Sequence, residues 1–118
     1  MSFQFNTTLP NPYFQDVTDV LPAEVYAAHE QIKLIDVRET SEFSGELGHV
    51  PGAELIVLST LPEHIQSLPT DRTLVFICRS GGRSAQAAAY AKQQGFKHVH
   101  NMQGGMLLWN QLQLPIEK

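Results

Sequence analysis

Short runs of β-branched and apolar residues recur along this chain at a spacing of roughly twenty residues, and that rhythm restricts the fold more than any other feature. The runs cover residues 15–18, 33–37, 53–56, 73–77 and 98–100. Helix-like stretches lie between them, leaving room for a crossover of about a dozen residues, which a parallel pair of strands needs and a hairpin does not. Strand, helix, strand repetition predicts an α/β fold with a parallel sheet and helices on both faces. With 118 residues, 42% of them hydrophobic, the chain suits one compact domain with a single core.

The helices carry their own signals. Pro22 sits where a first helical turn tolerates proline, and Leu21, Val25 and Ala28 fall on one face. Residues 84–94 are rich in alanine, with Gly95 following as a stop. In the last helix, over residues 105–112, Leu108 and Leu112 share one stripe while Met106 and Trp109 share its neighbour. Residues 1–14, with Pro10 and Pro12 close together, read as an extension that lies over the domain or stays mobile, and residues 15–118 as the domain itself.

Several function classes fall away on composition. The formal net charge is -4 and no Lys/Arg cluster stands out, so a nucleic-acid footprint is not expected. The N-terminus has neither a basic start nor an apolar run, and no stretch is long enough to span a bilayer, so a cytoplasmic protein without a membrane partner is expected. The chain has 1 cysteine, which excludes an internal disulfide and a multi-cysteine zinc site. If Cys78 matters, it matters as a thiol.

The chemistry concentrates in the segment from Leu74 to Ser84: an apolar strand ends on Cys78, a small polar loop follows, and the alanine-rich helix begins. In open parallel sheets, ligands bind beyond the carboxyl ends of the strands, which is where Cys78 is placed. Gly81 and Gly82 permit backbone angles closed to other residues, so consecutive N–H groups can converge on one point as an anion nest. The helix start adds partial positive charge, and Arg79 and Arg83 supply two cations. Such surroundings commonly lower a cysteine from about 8.5 to about 3.5–7.5, so Cys78 is expected to be a thiolate nucleophile. The plainer alternative is a buried, inert core cysteine. A core strand, however, does not require two arginines and two glycines directly after it.

At this point the chain resembles the rhodanese-like sulfurtransferases over nearly its whole length after Phe14. Four motifs in order carry the resemblance: Leu34-Ile35-Asp36-Val37-Arg38 with Glu42-Phe43; Gly48-His49-Val50-Pro51-Gly52-Ala53; the loop from Cys78 to Ser84; and Asn101-Met102-Gln103-Gly104-Gly105 leading to Trp109. The resemblance implies a three-layer α/β/α domain around a five-stranded parallel sheet. It also implies a catalytic cysteine, matched by Cys78, that takes sulfane sulfur from a donor such as thiosulfate and holds it as a persulfide. Arg79, Ser80, Gly81, Gly82, Arg83 and Ser84 would then line the substrate pocket, with the two arginines drawing in an anionic donor. The chain departs from the family pattern in carrying Val57 where a proline is common, and in a longer stretch from Phe43 to Gly48.

On this reading the partners are a small-molecule sulfur donor, a thiophilic acceptor such as cyanide or a thiol, and in some settings a protein acceptor. No metal and no organic cofactor is required. Two alternatives belong to other classes. A non-catalytic persulfide carrier or binding module would use the same loop for one protein partner. A cysteine-dependent phosphatase or arsenate reductase shares this kind of fold, yet those enzymes typically place five residues between cysteine and arginine. Here four residues separate Cys78 from Arg83, and the chain lacks the further thiols of an arsenate reductase.

Asp36 and Arg38 are supporting candidates. Asp36 ends its strand on the edge that carries Cys78, where it either orients Arg83 or Arg38 or caps the helix that follows, the capping role being favoured. Arg38 and Glu42, four apart, are placed to pair on a helix surface, a contact worth only about 0.2–0.5 kcal/mol. His49 is expected in a loop held by hydrogen bonds, not as an acid or base. His98 and His100 share a strand face without a carboxylate to complete a metal site. Trp109 is expected in the core.

Overall fold

The computed structural model describes residues 3–118, so the first two residues of the expected extension lie outside it. In chain order the strands are β1 (Leu9–Pro10), β2 (Thr18–Val20), β3 (Lys33–Asp36), β4 (Glu54–Leu55), β5 (Leu74–Ile77) and β6 (Val99–Met102). The helices are α1 (Pro22–Ala27), α2 (Thr40–Phe43), α3 (Leu61–His64), α4 (Gly82–Gln93) and α5 (Gly105–Gln111), with short 3-10 turns at Leu58–Thr60 and Ile65–Ser67.

They form one six-stranded sheet in the order β1-β2-β6-β5-β3-β4. Every pairing is parallel except β1 with β2. The five parallel strands answer to the five apolar runs, and the antiparallel strand is an addition. A proline is tolerated in β1 because that strand is at the edge, where its missing N–H breaks no ladder. The fold is thus α/β, with helices on both faces of the sheet.

The core divides across the sheet by strict alternation. Leu74 and Phe76 of β5, together with Cys78 just beyond it, pack on the face covered by α3 and α4, beside Ile35, Leu61, Ile65, Ala87 and Ala91. Val75 and Ile77 pack on the opposite face with Val25 of α1 and Met106 and Trp109 of α5. All of β5 is buried, which is why its sequence reads as a continuous apolar run instead of an alternating one. The buried alanines of α4 let that helix lie close to the sheet.

Three elements differ from expectation by two residues or more at a boundary. β2 begins at Thr18 and not at Gln15, because Val17 closes a turn: its N–H bonds Phe14 O at 3.1 Å while its carbonyl accepts from Asn11 N at 3.0 Å. β6 runs on to Met102, since its register continues along β2 through Asp19 with Asn101 and Val20 with Met102. α4 starts at Gly82, two residues before the expected start, because Gly81 adopts φ 108 and turns the chain directly into the helix.

Of residues 3–14, Leu9–Pro10 join the sheet as its edge strand and the aromatic residues before them lie over the domain. Phe3 and Phe5 pack against the α1/α5 side of the core, and Thr73 Oγ1 donates to Phe3 O at 2.6 Å. Among the described residues no helix is long and apolar enough to cross a membrane.

Candidate active site

Cys78 stands one residue past β5 and one short loop before α4, so the sheet fixes its backbone and the helix start faces its sulfur. The residue is 1% exposed. Its Sγ accepts the Gly81 N–H at 3.1 Å, a contact that the left-handed conformation of Gly81 makes available. Ser84 Oγ, in the first turn of α4, lies 3.2 Å from the same sulfur. Arg79, Ser80 and Gly82 form the exposed rim. Among the described residues, no acceptor partners the backbone N–H groups of Arg79, Ser80, Gly82 and Arg83. The expectation that both glycines take special angles is corrected here: only Gly81 does, while Gly82 is an ordinary first helical residue.

The underside of the loop is held by the start of α5. Met106 N–H donates to Cys78 O at 2.9 Å and Leu107 N–H to Arg79 O at 3.0 Å. This approach is so close that a Cβ on Gly105 would lie 2.5 Å from Cys78 O and from the Arg79 carbonyl. Gly105 also has φ 57, so both space and backbone angle demand glycine. Gly105 therefore shapes the cysteine loop from behind.

The charged residues follow the sequence reading in part: of the roles open to Asp36, the pairing with Arg38 is the one found, while the favoured helix cap is not, since Glu39 is the N-cap of α2. Asp36 and Arg38 pair with one another, Nη2 to Oδ2 at 2.7 Å and Nε to Oδ1 at 2.9 Å, and both are buried. Asp36 makes no hydrogen bond to Arg83, and Arg38 does not pair with Glu42; its other contact is Nη2 to Gly48 O at 2.7 Å. This pair braces the loop after β3, tying it to the backbone at Gly48. Arg83 instead reaches Glu42 in α2, and the guanidinium holds the Glu42 carboxyl at a pKa of about 2, against an ordinary 4.5. Glu42 in turn raises Arg83. Among the described residues, Arg79 joins no ion pair. It and Glu42 face a cleft of about 360 Å³ beside the loop.

A second cleft, of about 700 Å³, opens on the other side, between Ser80-Gly81-Gly82 and the segment from Asn11 to Phe14. Beneath it lies a buried polar group that the sequence reading missed. Ser84 Oγ hydrogen-bonds Asn101 Oδ1, Asn101 Nδ2 donates to Asp19 Oδ1 at 2.9 Å, and Asn11 Nδ2 donates to the same oxygen at 2.8 Å. Its one sequence signal was polarity within two short strands, Asp19 beside Val20 in β2 and Asn101 beside Met102 in β6. Spacing in sequence offers Arg38 as the partner of Glu42, whereas the fold gives it Arg83. What pointed to its role was an arginine in the loop with no acid near it in sequence.

The remaining candidates have structural duties. His49 Nδ1 is 2.8 Å from Phe43 O, its ring stacks on Phe43 with centroids 3.7 Å apart, and its backbone exchanges two hydrogen bonds with Glu117. Trp109 is fully buried and donates from Nε1 to Pro115 O at 2.8 Å.

The family model for the rhodanese-like domain matches residues 21–112. The chain is 40% identical over 95 residues to the putative sulfurtransferase YtwF of Bacillus subtilis, covering 80% of this chain and 89% of that protein. It is 33% identical over 91 residues to the thiosulfate sulfurtransferase GlpE of Pseudomonas aeruginosa, covering 76% and 81% respectively. Among solved structures, a rhodanese-related protein from Thermoplasma volcanium superposes with TM-score 0.76 at 28% identity, covering 82% of this chain and 94% of that one.

Proposed function

The chain belongs to the rhodanese-like domain family, and from that premise we propose that it is a sulfurtransferase whose nucleophile is Cys78. The observation that carries this reading is the setting of Sγ: a strand end, the Gly81 N–H at 3.1 Å, and the unpaired donors at the start of α4. The thiosulfate sulfurtransferase among its relatives supports the donor class. Residues 15–118 are the sulfur-transfer domain and residues 1–14 an extension of it.

The reaction proceeds in two displacements. The Cys78 thiolate attacks the outer sulfur of thiosulfate; a bond from Sγ to that sulfur forms, the bond to the sulfonate sulfur breaks, and its electron pair leaves with sulfite. The persulfide left on Cys78 is again an anion, centred on the N–H groups of Arg79, Ser80, Gly81, Gly82 and Arg83. Cyanide or a thiolate then attacks the outer sulfur and restores the Cys78 thiolate. Charge balances in both steps, so neither a metal nor an organic cofactor is needed. Arg79 draws the anionic donor toward the rim, while Arg83, held by Glu42, forms the wall.

The recessed sulfur favours a narrow donor with a terminal sulfur over a bulky phosphate ester. Arg83 is also engaged by Glu42 and so is not free to clamp a phosphoryl group. A reduced single thiol fits a cytoplasmic setting, where we place the protein.

Mass spectrometry tests the proposal. Treatment with excess thiosulfate should add one sulfur atom to Cys78, cyanide should remove it, and Cys78→Ser should take up none. An unmodified protein under donor excess sinks the enzyme reading. Sulfur delivered to a protein acceptor, with no turnover on cyanide or small thiols, would reassign the chain as a persulfide carrier.

A further inference from the structure

Resting on Cys78 as the nucleophile, we propose that Asp19 is a positioning residue: through Asn101 it directs the hydroxyl hydrogen of Ser84 away from the Cys78 sulfur. Asp19 is 4% exposed and Asn101 2%, and among the described residues Asp19 joins no ion pair. A buried carboxyl held by two amides and no cation calls for a purpose.

The direction of every hydrogen in this chain of contacts follows from one fixed end. The backbone N–H groups of Tyr13 and Phe14 can only donate, and both donate to Asn11 Oδ1, at 2.9 and 3.0 Å. Asn11 must therefore turn its NH2 toward Asp19, whose Oδ1 accepts it at 2.8 Å. The same oxygen, already an acceptor, takes the NH2 of Asn101 at 2.9 Å. That leaves Asn101 Oδ1, an acceptor only, facing Ser84 Oγ. A serine hydroxyl has a single hydrogen, and here it goes to Asn101.

Cys78 Sγ, 3.2 Å from Ser84 Oγ, is thus denied a donor that stands within reach, and keeps the Gly81 N–H. A thiolate held by fewer donors is the better nucleophile, because a hydrogen bond on the attacking sulfur has to be given up as the new bond forms. The extension joins the site by this route, since Asn11 belongs to it and Ser84 to the cysteine loop.

The test measures the rate of Cys78 alkylation by iodoacetamide on the alkaline plateau, where the rate no longer rises with pH and the thiol is fully ionised, in the full chain and in the Ser84→Ala background. Alkylation reads the nucleophile whether or not sulfur is transferred, so a failed relay is distinguishable from a failed sulfurtransferase. Asp19→Leu releases the Asn101 amide to turn, and alkylation should slow about threefold, the loss that one added hydrogen bond on the sulfur brings at a Brønsted slope of about 0.4–0.5. In the Ser84→Ala background the same substitution should change the rate less than about twofold, which also removes from the comparison any direct effect of the lost charge. Asp19→Asn, which keeps an acceptor oxygen in place, should retain the parent rate. Equal slowing in both backgrounds, or no slowing in either, overturns the proposal. Should Asp19→Leu not fold, Asn101→Leu measured in the same two backgrounds decides the question by the same criterion.

Discussion

Arg83 grips Glu42 with two parallel hydrogen bonds, Nη1 to Oε1 at 2.7 Å and Nη2 to Oε2 at 2.9 Å, across 41 positions of sequence. The pair ties α2 to the first turn of α4 and so fixes one wall of the cysteine loop. It also changes the electrostatics of that loop. One of its two arginines is neutralised, and Arg79 is left as the cation at the rim.

The Glu42 carboxyl titrates near 2 in the folded chain and near 4.5 when free, chiefly because Arg83 hydrogen-bonds its ionised form. Its folded value is depressed, so its contribution to stability is present above about pH 4.5 and is lost as pH falls through about 2. Both side chains are partly solvated, which limits the pair to about 1 kcal/mol. Glu42→Gln should therefore lower stability at pH 7 by about that amount and match the parent near pH 2. Urea unfolding at a series of pH values checks this; a pH-independent difference would show that packing, not charge, is lost.

Arg79 should act on the donor before chemistry. Arg79→Ala is expected to raise KM for thiosulfate by about fivefold at low ionic strength while leaving kcat within about twofold, and the difference should shrink in salt as the screening length shortens. Arg83→Ala should act instead on loop order and lower kcat. Steady-state kinetics at two salt concentrations separate the two; a salt-independent Arg79→Ala effect would remove the steering role.

How much of this was legible depended on how far apart the partners lie in sequence. The loop from Cys78 to Ser84 could be read because its strand, glycines and helix start are contiguous, and each carries a local physical signal. The five parallel strands were readable from spacing, but the two-residue edge strand Leu9–Pro10 is too short to show any periodicity. The pairing of Glu42 with Arg83 joins separate elements, so spacing favoured Arg38, which the fold turns inward to Asp36 instead. Asp19 and Asn101 stand 82 positions apart, and only the parallel register of β2 with β6 brings them level. Local propensity has no term for that.

The glycine behind the loop should be far less replaceable than one within it. Gly105→Ala places a Cβ at 2.5 Å from Cys78 O at a φ of 57, so something in the loop must move. Left-handed strain alone costs about 1–3 kcal/mol, and the displaced Cys78 carbonyl should lower sulfur loading as well. Gly82→Ala meets nothing within 4 Å and sits in a helical turn, so it should stabilise the fold by about 0.4–1 kcal/mol. Thermal melts of both variants test the contrast; a Gly105→Ala protein as stable as its parent would contradict the close packing of α5 on the loop.

His100 should govern stability in a different pH window. Its ring lies against Phe5 with centroids 5.3 Å apart and its Nδ1 is 2.7 Å from Thr18 Oγ1. Burial, helped by the positive charge of Lys92 and by His98, pushes its pKa from 6.5 down to about 4. Between those values the unfolded chain binds a proton that the folded chain refuses, so stability falls as pH drops from about 6.5 toward 4. The loss is on the order of 2 kcal/mol. His100→Gln keeps a hydrogen-bonding partner for Thr18 and removes the titration, so its stability should be nearly flat over that range, although the variant loses the ring contact with Phe5. Because the Glu42 effect lies below about pH 4.5, the two contributions separate along one titration. A parent and variant that lose stability in parallel between pH 6.5 and 4 would mean that another group takes up the proton.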